Sequence, residues 1–136
     1  MQDETSSKKP LTSKETRDLD IEISFLEGLI RRAPSYIEAL QLLGDDYTRR
    51  GRYQDGLNVD ERLVSLCPRD SMVHYNLACS FSLTDCLEES LAALETAINL
   101  GYNDFKWLNE DSDLENVRNH PGFQIILQSI SEKQAE

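Results

Sequence analysis

The residues that could do chemistry are few, and their spacing does not favour it. The chain has two histidines, His74 and His120, 46 positions apart, and three cysteines, Cys67, Cys79 and Cys86. His74 lies five positions before Cys79. That spacing does not put both on one helical face, and a zinc site needs four ligands or three with a water. No metal and no cofactor are therefore expected. A Cys–His nucleophile pair is disfavoured as well, because such groups are commonly held on loops and these fall within helical patterns. GxGxxG, P-loop and GxSxG motifs are absent, so phosphate cradling and serine hydrolysis have no sequence basis. The expectation is a protein that is not an enzyme. An odd cysteine count without CxxC spacing fits a reducing compartment, and a cytoplasmic address is expected.

Charge narrows the partners. Fourteen Lys and Arg stand against 25 Asp and Glu, a net charge of −11 over 136 residues. Nucleic acid and anionic membranes need clustered positive charge, so both are disfavoured. No stretch approaches the roughly 18 apolar residues of a membrane span. The one dense basic cluster is Arg49, Arg50 and Arg52. Cations at a helix C-terminus favour its dipole, which explains the cluster without a ligand. Arg31 and Arg32 have the same explanation. Residues 86–136 hold 10 acidic and 3 basic side chains, read as a solubilising surface.

These side chains must be positioned by helices. Residues 1–12 are polar and irregular, and read as a tail. Thr12 with Glu15 has the spacing of a capping box. Leu19, Ile23, Leu26 and Ile30 then share a helical face, with Phe25 and Leu29 beside it. Pro34 ends this helix. Leu40, Leu43 and Tyr47 mark a second helix, closed by Gly51. A third runs from about 53 to 67 and stops at Pro68, and a fourth covers 73–84. Asp85 with Glu88 reads as the next N-cap, before a helix with Leu87, Leu91, Leu94 and Ile98 on its buried side. A short helix or turn is expected over 104–109. Ser112 with Glu115 forms a further candidate capping box, and Pro121 opens a closing helix lined by Phe123, Ile126, Leu127 and Ile130.

Self-comparison gives the strongest signal. A shift of 34 residues brings Leu43 onto Leu77, Gly44 onto Ala78, Tyr47 onto Phe81, Leu57 onto Leu91 and Pro34 onto Pro68. Small residues at Gly44, Gly56, Ala78, Ser90 and Ala97 let paired helices approach, and Leu43, Leu77, Tyr47 and Phe81 fill the space between them. A helix-turn-helix period of about 34 residues marks the tetratricopeptide repeat (TPR), and the sequence resembles that family. Residues 37–70 match one repeat at Leu43, Gly44, Tyr47, Gly51, Tyr53 and Pro68. Residues 71–104 match a second at Tyr75, Asn76, Leu77, Ala78, Phe81, Ala97 and Leu100. Departures occur at Leu40 and His74, where the family prefers Trp or another large apolar residue. Gly56 and Ser90 replace Ala, Asp60 an aromatic and Tyr102 the closing Pro.

The resemblance implies an all-α fold, a tetratricopeptide-repeat superhelical stack. One domain is expected over 13–133: an N-terminal helix (13–34), two repeats (37–70 and 71–104) and a C-terminal cap (105–133). Trp107, Phe105 and Leu108 are read as sealing the open end, with Arg118 and Phe123 in the cap and Arg118 paired to Asp111 or Asp113.

Family members generally bind proteins or extended peptides in a concave groove lined by the first helix of each repeat. Carried onto this chain, those positions are Glu38, Gln41, Leu42, Asp45, Thr48 and Arg49 from the first repeat. The second contributes Met72, Tyr75, Asn76, Cys79, Ser82 and Leu83. Tyr75 and Met72 are the expected apolar anchors. A clamp for a C-terminal carboxylate, used by one subfamily, is disfavoured. Asn76 matches, but Gln41 replaces its Lys and Asp45 replaces an Asn with an opposing charge. Glu38 and Asp45 favour a basic or apolar partner segment instead. The alternative function is a self-associating scaffold, a homo-oligomer built from exposed stack ends.

Overall fold

The computed structural model of the chain describes residues 9–135. The tail expected over 1–12 falls outside the described residues for positions 1–8. The described residues form helices and connecting turns, in two compact units, Met1–Pro68 and Arg69–Glu136.

The first unit holds three helices: α1 (Ser13–Arg32), α2 (Ile37–Arg49) and α3 (Tyr53–Leu66). The capping box is present. Thr12 Oγ1 accepts from the Glu15 amide at 3.1 Å, and Glu15 Oε1 accepts from the Thr12 amide at 2.9 Å. Such a cap is worth about 1 kcal/mol. Leu19, Ile23, Leu26 and Ile30 are all buried, as their spacing predicts. Phe25 is not beside them in the core. It is exposed, because position 25 lies on the opposite side of α1 with Ile21. α2 packs against both α1 and α3. It buries Leu40, Leu43 and Tyr47, so the departure at Leu40 still fills a core site. Gly51 supplies a φ of +82° between α2 and α3, a conformation that a side chain would strain.

The second unit begins with α4 (Ser71–Leu83) and α5 (Leu87–Asn99). Their close approach includes a hydrogen bond from Ser90 Oγ to the Ala78 carbonyl, 2.7 Å. Serine at this position therefore adds a tie that alanine would not. α5 is not capped by Asp85. That residue sits in the left-handed region at φ +61°, and its carboxylate accepts from Asn116 instead. α6 (Phe105–Glu110), a 3₁₀ turn (Ser112–Leu114), α7 (Glu115–Arg118) and α8 (Pro121–Ala135) complete the unit. Pro121 opens α8 as its fixed φ favours. The capping box expected at Ser112 is absent, because Asp111 caps the 3₁₀ turn by accepting from the Asp113 amide at 2.9 Å.

Leu94, Leu108, Leu114, Val117 and Phe123 are fully buried in one apolar cluster of this unit. Trp107 does not join it. Its side chain is 46% exposed, and Leu108 takes the sealing position. Arg118 meets Asp111 through the backbone of that residue. Its Nη2 donates to the backbone carbonyls of Leu108 (3.1 Å) and Asp111 (2.7 Å), bracing the turn from inside.

Candidate functional site

The twelve groove positions fall on two helices, six on α2 and six on α4. Each set recurs at the three- and four-residue steps that keep side chains on one face. The two faces differ sharply.

On α2 the face is open. Glu38, Gln41, Leu42, Asp45 and Arg49 are exposed, and Leu42 is 52% accessible. Thr48 turns back on its own helix and donates to the Gly44 carbonyl at 3.1 Å. This leaves one apolar side chain between two carboxylates, with a guanidinium at the far end. Such a surface suits an apolar group flanked by cations.

On α4 the face is largely covered by the chain that follows. Met72 is 50% exposed, Asn76 is exposed and Leu83 is partly covered. Tyr75, Cys79 and Ser82 are buried, with Tyr75 only 3% accessible. The Tyr75 hydroxyl donates to Asp111 Oδ2 at 2.6 Å, and the Cys79 thiol reaches the same oxygen at 3.7 Å. The ring of Tyr75 stacks on Tyr102, 4.3 Å between centroids and 9° from parallel. Ser82 Oγ accepts from the Val117 amide at 3.2 Å, and the Ser82 carbonyl accepts from Asn116. Tyr75 is therefore not an open anchor here, because its ring and hydroxyl are engaged within its own unit. Burial, with Cys79 and Asp111 beside it, drives its hydroxyl far above the usual tyrosine range. It stays a neutral donor at all ordinary pH.

Sequence reasoning missed Asp111 as the acceptor at the centre of this arrangement. An acid inside an acidic segment reads as surface. The signal that could have found it is the replacement of the closing Pro by Tyr102, which opposes a second tyrosine. Asp46 was missed too. It follows Ala39 and Leu43 by seven and three positions, which places it on the buried face of α2. Its side chain is 4% exposed, and Oδ2 has no hydrogen-bond partner. Burial, then a hydrogen bond and like charge from Glu22, push its carboxyl up to about 7, against the opposing pull of Arg49.

The basic cluster is only partly free. Arg50 pairs with Asp20 at 2.9 Å and Arg52 with Asp55 at 2.8 Å. The Arg52 guanidinium also lies over the Tyr47 ring, 4.7 Å from its centroid. Tyr47 in turn donates to Glu27 Oε2 at 2.5 Å, and its hydroxyl is raised by burial and by that carboxylate. Among the described residues no group of three or more His, Cys, Asp or Glu could hold a metal ion, and no helix is long and apolar enough to cross a membrane.

Comparison with known proteins supports the architecture. No family model matches the chain. A chloroplastic protein of Arabidopsis thaliana is 33% identical over 92 residues. The match takes in 65% of this chain but 28% of that protein, so the chain spans little more than a quarter of this relative. Among solved structures, MamA 41-end from Desulfovibrio magneticus RS-1 superposes with a TM-score of 0.64 at 15% identity, covering 88% of this chain and 68% of that one. The chain has an all-helical, TPR-type αα-superhelical fold.

Proposed function

We propose that this protein is a non-enzymatic interaction module that takes a peptide or helix of a partner protein along the first helix of a repeat, with α2 as the principal contact. Repeats at 37–70 and 71–104 form part of the proposal. The observation that carries it is Leu42, half exposed on α2 with Glu38 and Asp45 on the same face. An apolar anchor ringed by acids favours a basic or apolar segment, with burial giving affinity and charge fixing register. Exposed Met72 and Asn76 on α4 offer secondary contacts, whereas Tyr75, Cys79 and Ser82 act internally.

The test is affinity capture from source cells, read by mass spectrometry, with wild type beside Leu42→Glu and Met72→Glu. Loss of a partner in Leu42→Glu, with folding intact by circular dichroism, supports the α2 face. A partner list for Leu42→Glu identical to that of wild type refutes it.

A second reading, a self-associating scaffold, is favoured by Ile21 and Phe25. They are exposed one turn apart on α1, and like surfaces can pair in a dimer. Light scattering of wild type and Phe25→Glu decides it, since a strict monomer at high concentration removes this reading. Cytoplasmic residence is part of the main proposal. The Arabidopsis relative is named for the chloroplast, and microscopy of the tagged full-length protein separates the two addresses.

A further inference from the structure

A cleft of about 390 Å³ lies within the first unit, away from the positions assigned above. Its walls come from α1 and α3, and its floor is α2. Leu40, Leu43 and Tyr47 line it from α2, with Ile30 and Val59 on either side. A volume of this size falls within the range of roughly 300–1,000 Å³ in which proteins hold ligand groups.

The rim decides what would fit. Four charged side chains line it: Glu27 and Arg31 from α1, Asp55 and Arg62 from α3. The two acids share one cation, Arg52. Glu27 accepts from the Tyr47 hydroxyl and lies 3.7 Å from Arg52, and Asp55 is paired with Arg52. The two arginines have no such partner. Arg31 and Arg62 are exposed, and neither forms an ion pair with a described residue. The cleft thus offers a small, largely buried apolar floor between two guanidinium groups that pair with no described residue, one from each wall, on a chain whose net charge is −11. Guanidinium forks favour carboxylates in particular.

We infer that this cleft is a second docking site, for an acidic partner segment that seats one apolar side chain on the α2 floor between carboxylates held by Arg31 and Arg62. The charge demanded is opposite to that of the exposed α2 face, so the two sites select different segments.

The test uses three fluorescein-labelled synthetic dodecapeptides of equal length. One carries a central Leu-Leu pair flanked by glutamates, one the same pair flanked by lysines, and one glutamates throughout. Anisotropy is read with wild type and with the Arg31→Ala/Arg62→Ala double variant. Both changed residues are exposed, so the fold is kept, and circular dichroism checks this. The expected result is binding of the glutamate–leucine peptide alone. The double variant should weaken it by about tenfold, the scale of two exposed ion pairs, and raised salt should weaken it further. Amide shifts should centre on Arg31, Asn58 and Arg62 rather than Leu42. The inference is overturned by absent binding, by unchanged binding in the double variant, or by equal binding of either control peptide. Octanoate displacing the peptide at equal affinity would also overturn it, by assigning the cleft to a small amphiphilic acid.

Discussion

Asp46 gives the sharpest quantitative prediction. Its carboxyl is buried between α1 and α2 beside Glu22, with Asp45 and Arg49 on its own helix. Glu15, Asp18 and Glu22 face Arg49 from α1. Folding raises the Asp46 carboxyl from 3.8 to about 7. The folded state therefore holds a proton that the unfolded state has lost over the window between those values. Stability contributed here is fully present below about pH 4, falls as pH rises, and is gone above about pH 7. At about 1.4 kcal/mol per pH unit, the interval from pH 5 to pH 7 bounds the loss at about 3 kcal/mol. Sharing of charge with Glu22 reduces it, and we expect about 1–2 kcal/mol. Asp46→Asn keeps the shape and removes the titration. Relative to wild type it should gain about 1–2 kcal/mol between pH 5 and pH 8, a rise of about 3–8 °C in Tm. Urea denaturation at both pH values measures it. A wild-type-minus-variant difference that stays constant from pH 5 to pH 8 refutes the reasoning, whatever its absolute size.

Two further predictions concern the second unit. Asp111→Ala removes the acceptor shared by Tyr75 and Cys79. At about 1.5–3 kcal/mol for a hydrogen bond to a charged group, it should cost about 2–4 kcal/mol in urea denaturation. Thiol titration should find Cys79 the last to react in the native protein, because it is buried, and faster in the variant. Trp107 should fluoresce as a solvated indole and be quenched readily by acrylamide. A blue-shifted, quencher-resistant emission would instead place it in the core.

The elements were legible because their signals are local. A capping box at Thr12 and Glu15, a left-handed Gly51 and a Pro121 start each depend on near neighbours in sequence, and the 34-residue period repeats such local patterns. The buried stripe of α1 follows from spacing alone. What failed were several assignments that depended on which chain segment covers which face, although Leu108 and Phe123 are buried in the cap as expected. Tyr75 and Gln41 occupy equivalent places 34 residues apart, and nothing in their own helices says that one is capped and the other open. Trp107 and Leu108 are adjacent, and about 100° of rotation on a six-residue helix decides which is buried. Asp85 and Ser112 carry the composition of caps, but Asn116 and Asp111 claim the geometry. In each case a long-range partner overrode a local preference.

The covering of α4 bears directly on where a partner can bind. A ligand competing for Tyr75 would have to displace Asp111, break the 2.6 Å hydrogen bond and separate the stacked Tyr75 and Tyr102 rings. The charge-assisted hydrogen bond alone is worth about 1.5–3 kcal/mol, or roughly a 10- to 150-fold loss of affinity. Stacking of the two tyrosines adds about 0.5–1.5 kcal/mol. No such cost falls on Leu42, whose surface is already accessible. Two faces with the same repeat register therefore differ in accessibility, for a reason that lies beyond α5 in the chain. The residues after position 100 decide it, through one carboxylate and one aromatic ring.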